Sequence, residues 1–484
     1  MSDTAFETVI GLEIHVQLNT RTKMFCSCPT EPEQGKPNTS ICPVCTGQPG
    51  VLPVLNAKAV EMATKAALAL GCRINKRSIM ARKNYFYPDL PKGYQISQYE
   101  QPLAERGFVT IEDGGETKKI GITRLHIEDD AGKSLHAIGS QELDCTLIDF
   151  NRCGMPLAEI VSEPDMRSPE QAYKFLTALK TLMQWVGASS CDMEKGELRV
   201  DVNLSVRPKG QKALGTKVEL KNLNSFKAVK DALAYESARQ IKEVSSGGKI
   251  IQETRLWDDN SGSTAPMRSK EEAHDYRYFP DPDLVPLAPA DAWVEELRKS
   301  LPELPDARKA RFASAYSLGD YDAEVLTSSA QLADYFEAVV SGGKASAKTA
   351  SNWIQTELLG RLNAAKLEIG ASPISAKNLS GLVAAVDSGK ISGKMGKDVF
   401  EQMWTSGKSA EELIEKSGLS QVSDAGQLKT WAEQAVAANP KAAQDYRSGN
   451  EKAIGSLVGG VMKLSKGKAN PGLVNEILKE VLKA

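Results

Sequence analysis

Three groups of residues in this 484-residue chain have types and spacings that could carry chemistry. The first is two cysteine pairs, Cys26 and Cys28 in "FCSC" and Cys42 and Cys45 in "CPVC", with 13 residues between the pairs. Four thiolates so placed suit a tetrahedral Zn2+ site, a knuckle spanning residues 26–45. Four protein ligands leave no open coordination position, so the expected zinc is structural. Free thiols are the alternative. The second group is a set of acids and one histidine in strand-like segments: Glu13 and His15 in "GLEIHVQL", Glu128 in "TRLHIE", Asp201 in "ELRVDVNLSVR" and Glu219 in "TKVELKN". The third is "RKNYFYPDLPKGYQISQYEQP" (82–102), where Lys83 and Tyr85 stand among further cations and rings. That mixture suits base stacking and phosphate contacts. It suits equally a Pro-bounded loop whose rings are core.

The acids sit in segments that alternate apolar and polar residues with period two, which predicts strands over 8–18, 120–128, 197–208 and 216–222. In the first, Leu12, Ile14, Val16 and Leu18 share one face, and Glu13, His15 and Gln17 the other. An antiparallel sheet with one wet side explains the alternation. It does not explain the composition, because carboxylates opposite one another repel unless a cation lies between them. Hard oxygen ligands with one imidazole suit Mg2+ or Mn2+, and Mg2+ usually brings a nucleotide phosphate with it. The expectation is a sheet-floored site for a metal and an anionic substrate.

Helices are expected over 56–71, over 168–187 with Ser168 as N-cap and Pro169 at the first helical position, and from Ser225. A Pro-rich stretch at 278–293 marks a boundary, after which the patterns are helical. Residues 405–418 read as a linker into a tail of three or four short helices. The tail carries Lys463, Lys466 and Lys468 in "MKLSKGKANP", which fit either a solvated helix end or a phosphate grip. The fold class is therefore α+β: an antiparallel-sheet domain over 1–292, a helical domain over 293–406 and a small helical tail over 407–484.

Composition narrows the classes further. With 41% hydrophobic residues, 25% charged residues and a net charge of −2, no global field draws the chain to nucleic acid or anionic lipid. Binding of that kind must come from local patches. No basic-then-apolar leader opens the sequence and no apolar run nears the ~18 residues that span a bilayer, so a cytoplasmic protein is expected. Cys72, Cys145, Cys153 and Cys191 are then expected as buried free thiols. No P-loop, dinucleotide fingerprint, nucleophile elbow or His-Glu-x-x-His motif occurs, so any ATP is bound without a P-loop.

Seven stretches together, "ETVIGLEIHVQL", "RKNYFYPDLPKGYQISQYEQP", "LHIEDDAGKS", "PLAEIVSEPDMRSPEQA", "NLNSF", "QETRLWD" and "DYRYFPDPDLVPL", resemble the B-subunit family of the aspartyl/glutamyl-tRNA(Asn/Gln) amidotransferases. The tail, "LVGGVMKLSKGKANP", is similar to the small YqeY-type helical domain, so the resemblance covers essentially the whole chain in order. It implies a cradle domain with a fold like glutamine synthetase and the guanidino kinases. It implies a ligase that forms a C–N bond. ATP and Mg2+ phosphorylate the side-chain carboxylate of Glu-tRNA(Gln) or Asp-tRNA(Asn), and ammonia released from glutamine displaces the phosphate. The implied partners are an amidase (glutaminase) and a small bracing protein, which complete a heterotrimer, with the helical and tail domains gripping the tRNA.

By the same resemblance the metal positions map to Glu13, His15, Asp129 and Glu159, with Glu128, Asp201 and Glu219 lining the same cavity. Lys83 and Tyr85 map to its mouth, near the tRNA 3′ end; His126, on the polar face of its own strand, is expected beside the site rather than as a ligand. The family pattern is commonly Glu-Glu-Asp where this chain has Glu128-Asp129-Asp130, which puts direct ligation by the shorter Asp129 in question; Asp130 is expected to order the Gly132 turn. The competing reading is a non-catalytic zinc-ribbon RNA-binding or assembly factor. It gains nothing from clustered carboxylates, which repel phosphate. A free-standing ammonia ligase acting on a small carboxylate is a third.

Overall fold

The computed structural model describes residues 5–33, 35–139, 141–267, 275–417, 425–465 and 469–483. The alternating segments are strands. In chain order the strands are β1 (Phe6–Gln17), β2 (Arg73–Ile74), β3 (Ala81–Asn84), β4 (Tyr94–Ser97), β5 (Ala104–Asp113), β6 (Glu116–Asp129) and β7 (Lys133–Ile138). They continue with β8 (Gln141–Asp149), β9 (Pro156–Ser162), β10 (Leu198–Pro208), β11 (Val218–Lys221), β12 (Thr254–Asp258), β13 (Ser263–Pro266) and β14 (Phe279–Pro280). A nine-stranded sheet has the order β13-β12-β11-β10-β1-β9-β6-β5-β2; β14-β3-β4 form a second sheet and β7-β8 a hairpin.

The large sheet is antiparallel except where β11 meets β12, which run parallel. Between those two strands lies a helix (Phe226–Ser245), the crossover that a parallel pair requires. Ser225 caps that helix by accepting from Ala228 N–H, and Ser168 caps the helix Pro169–Trp185 through Gln171 N–H. Both helices lay their apolar stripes on one face of the sheet. Phe175, Leu179, Val229 and Leu233 join Leu12, Ile14, Val16, Leu125, Ile160, Val200 and Val202 in a single core. The other face is therefore free to carry polar chemistry.

The chain divides into two compact units, up to Leu304 and from Pro305. The second unit is helical among its described residues. Within it, the segment expected as a linker contains a helix, Ala410–Ser417. Ala410, Leu413 and Ile414 stand at helical spacing and are buried, so the stretch packs as an element rather than bridging two. Four α-helices follow among the described residues, with Leu428, Leu457, Val461, Val474 and Leu478 in their common core. Cys72, Cys153 and Cys191 are buried as expected, whereas Cys145 is exposed on β8, a strand of the two-stranded hairpin with no core side to hide it. No described helix is long and apolar enough to cross a membrane.

Candidate active site

Register across the sheet builds the polar face in rows. One row runs Arg199 (β10), His15 (β1), Glu159 (β9), His126 (β6). The next runs Asp201, Glu13, Val161, Arg124 on the same four strands. Acids are thus interleaved with histidines and cations, except that Glu13 stands directly opposite Asp201. There Asn203 Nδ2 donates to Glu13 at 3.0 Å, and Lys221 lies 3.3 Å from both Asp201 and Glu219. All of these except Val161 and Asn203 line a cavity of about 310 Å³.

Within the cavity two histidines each touch the same two glutamates. His15 Nε2 lies 3.3 Å from Glu159 and 3.5 Å from Glu128. His126 Nε2 lies at the same two distances from the same two carboxylates. Burial opposes a charged His15 ring, but the Glu159 hydrogen bond and the Glu159 and Glu128 charges outweigh it and raise its pKa. His126 is raised to about 9: burial lowers it, and Glu159 and Glu128 more than reverse that. In return, both glutamates stay below their ordinary range despite burial, Glu159 well below, because the imidazoles hold them as carboxylates.

One donor atom each from His15, Glu128 and Glu159 lies within 4.8 Å of the others. The observed separations of 3.3 and 3.5 Å are close to the ~3 Å between adjacent ligands of an octahedral ion with 2.0–2.1 Å bonds, so the set fits Mg2+ or Mn2+ with positions left for water or phosphate. A dication in place of two imidazolium protons would leave the net charge of the cluster unchanged.

The sequence-predicted residues separate here. Glu13, His15, Glu128, Glu159, Asp201 and Glu219 share the cavity, as do Lys83 and Tyr85. Asp129 does not join them. Strand alternation turns Glu128 and Asp130 into the cavity and Asp129 to the opposite face, where its carboxylate pairs with Lys92 and accepts from Ile96 N–H at 2.9 Å. Burial pushes the Asp129 carboxyl up, and Lys92 pulls it partway back. Asp130 takes part in the Gly132 turn through Ala131 N–H, which donates to its Oδ1 at 2.9 Å, while Gly132 N–H donates to Asp89 O. The same carboxylate grips Arg199 in a bidentate pair at 2.8 and 2.9 Å.

Other contributors carry only a weak signal in a single strand's sequence. His126 matches His15 in its contacts, yet only cross-strand register reveals it. Arg199 and Lys221 are visible on polar strand faces but belong to no motif. Tyr276 and Tyr278 arrive from far along the chain: Lys83 Nζ lies 4.9 Å from the Tyr276 ring, and Tyr278 stacks on Tyr99 at 4.4 Å. Lys83 has no ion-pair partner among the described residues. Burial, then the nearby Glu128 and Asp129 charges, pushes the Tyr85 hydroxyl well up, so it stays neutral.

The four cysteines also converge, with their sulfurs all within 4.8 Å of one another. Cys42 and Cys45 Sγ are 3.9 Å apart, against about 3.8 Å between ligands of a tetrahedral Zn2+ with 2.3 Å bonds, so the set fits zinc. Cys42 N–H donates to Cys45 Sγ at 3.1 Å, and fully buried Lys23 approaches it at 3.9 Å. Cys45 is lowered to about 5, first by the Cys26 hydrogen bond; Cys26 is pushed far up by the same bond, and Cys28 to about 11 by burial. One thiolate is stable without a metal; four together need a dication. In the tail, Lys463 is placed near the end of the helix Ile454–Leu464, while Lys466 and Lys468 lie outside the described residues.

A family model described as the GatB/GatE catalytic domain matches residues 8–295, and one described as a GatB domain matches 334–482. Among curated relatives, a protein of Elusimicrobium minutum is 57% identical over 480 residues, covering 99% of this chain and 100% of its own. Proteins of Carboxydothermus hydrogenoformans (54% over 477 residues, 99% of each chain) and Persephonella marina (52% over 478 residues, 99% of this chain and 100% of its own) are similar over the same extent. All three are named as the B subunit of the aspartyl/glutamyl-tRNA(Asn/Gln) amidotransferase.

Proposed function

The chain belongs to the GatB/GatE family, the B subunit of a tRNA-dependent amidotransferase, and from that premise we propose that its cavity activates a carboxylate with ATP. The substrate is the side chain of Glu-tRNA(Gln), Asp-tRNA(Asn) or both. The observation that carries this reading is the His15–Glu128–Glu159 cluster in the same cavity as Arg199, Lys221, Arg124 and Lys83. Acids that can hold a dication and cations that can hold anions meet in one buried site.

The chemistry requires both. A carboxylate is a poor acceptor for ammonia because oxide would have to leave. Transfer of the γ-phosphoryl group to the carboxylate oxygen, with ADP leaving, converts that oxygen into a phosphate leaving group; ammonia then takes the carbonyl carbon and phosphate departs. Bound Mg2+ would supply charge neutralisation at the transferring phosphoryl oxygens. His15, Glu128 and Glu159 would hold it, with Glu13, Asp201 and Glu219 beside them. Lys83, without a carboxylate partner among the described residues and backed by the Tyr85 and Tyr276 rings, is suited to grip the tRNA end at the mouth. No glutaminase nucleophile is assigned to this chain; ammonia comes from a partner amidase, with a small bracing protein completing the heterotrimer. The cysteine knuckle would hold a structural Zn2+, the sheet unit would serve as a glutamine synthetase-like cradle, and the YqeY-like tail, with Lys463, would contact tRNA.

Reconstitution with the amidase partner, mischarged tRNA, ATP and glutamine tests this. Glu13→Ala and His15→Ala are expected to abolish ATP-dependent amidation while the partner's glutamine hydrolysis persists. Amidation undiminished in both variants would refute the assignment. A purely RNA-binding role would leave the buried acid cluster without purpose.

A further inference from the structure

Strand β4 supplies one wall of the cavity, with Gln95 and Ser97 facing in. It is the end strand of its small sheet, laddered on one side to β3. Its other edge meets β6 without a described ladder, and the buried backbone groups of both strands there need other partners. Side chains supply them. Ile96 N–H donates to Asp129 Oδ1 at 2.9 Å, Gln95 Nε2 donates to the Asp129 carbonyl at 2.8 Å, and Gln98 Oε1 accepts from Ile127 N–H at 3.1 Å. One residue further on, Ser97 Oγ donates to Glu128 Oε2 at 2.9 Å.

Asp129 is itself buried, and its charge is answered by Lys92, whose side chain is 7% exposed. Lys92 is covered from behind by the cysteine knuckle. Gly47, two residues after Cys45 and at φ +71°, comes so close that a Cβ there would lie 2.5 Å from Lys92 Cγ. A small void there is bordered by Cys26, Cys45, Lys92 and Asp129 together.

We propose that Asp129 is a positioning residue: its carboxylate, held by Lys92 beneath the cysteine knuckle, ties β4 to β6 and so presents Ser97 to Glu128. The pair acts through the back of the strand on a site that it does not touch. Changing one partner alone strands a buried charge, so both are changed together. D129N/K92Q keeps an acceptor for Ile96 N–H and a neutral hydrogen-bonded pair. D129L/K92M keeps the volume and loses the acceptor.

The test uses the full chain, with amide hydrogen exchange over residues 94–98 and Mn2+ titration as readouts. D129L/K92M should speed exchange in β4 by about 100-fold at unchanged global protection. It should also weaken Mn2+ binding by about 10-fold, while D129N/K92Q restores both to within about 3-fold of the unaltered chain. The Mn2+ arm rests on the cavity reading above and the exchange arm does not, so the two failures separate. An unaltered chain that ignores Mn2+ refutes the metal reading and leaves exchange to decide. Should D129L/K92M not fold, Ile96 N–H in the unaltered chain must exchange about 100-fold slower than in a free peptide. Equal β4 exchange in the two double variants, or free-peptide exchange at Ile96, would overturn the proposal.

Discussion

The cysteine knuckle and the His15–Glu128–Glu159 cluster both gather metal-donor side chains, but the chain assembles them in opposite ways. The knuckle draws its sulfurs from two turns close in sequence, and its four donors would be enough to close a tetrahedron around a zinc ion. The cluster draws one residue each from β1, β6 and β9, which only sheet register brings together, and three donors leave an octahedral ion open to ligands. A local, complete, soft set serves the fold; a non-local, incomplete, hard set can serve a reaction. Loss of a donor should therefore cost activity in one and stability in the other.

The largest effect is expected in the cavity. Glu128→Gln removes one charge from the cluster and should lower ATP-dependent amidation about 10³-fold; an imidazole that loses its partner can release its proton, so the melting temperature should fall less than in the knuckle variants. Paired rate and calorimetric measurements check both halves; a large melting shift with retained activity would dissolve the contrast. Next comes the knuckle. Cys42→Ser with Cys45→Ser, or chelation of the metal, should lower the melting temperature by roughly 5–10 °C, with bound zinc lost in parallel. Metal analysis beside calorimetry reads this.

A smaller effect is expected at the cavity mouth. Lys83→Met should raise KM for charged tRNA about 10-fold and change kcat less, since its role is grip rather than transfer. Initial rates across tRNA concentrations separate the two. The smallest is at Cys145, a thiol outside both metal-donor clusters found among the described residues. Cys145→Ser should shift the melting temperature by less than about 1 °C. A shift like that of the knuckle variants would show that cysteine content, not convergence, sets the response.

The same local-versus-distant contrast explains what the sequence reveals. Both helix caps, at Ser168 and Ser225, and the four cysteines are legible because their partners lie within a few residues. Period two also places Glu13, His15, Asp201 and Glu219 on the wet face. Register is not legible from one strand at a time. His126 cannot be matched with His15 until β9 stands between them with Glu159 facing both. Asp129 is misplaced for a different reason: resemblance outweighs alternation, although period two carried one step past Glu128 already puts Asp130, not Asp129, in the cavity. The helix at Ala410–Ser417 hides behind flanking Gly and Ser residues, while its buried positions show the i, i+3, i+4 spacing.

The three-strand cluster is proposed to drive ATP-dependent activation of a carboxylate. Ammonium chloride in place of glutamine removes the partner's glutaminase from the question. The decisive measurement is ADP and amide formed on mischarged tRNA by the reconstituted complex, with the unaltered chain and with Glu159→Gln. One ADP per amide is predicted for the unaltered chain, and both products should fall about 10³-fold together in the variant. Unaltered rates of both products with Glu159→Gln would contradict the account.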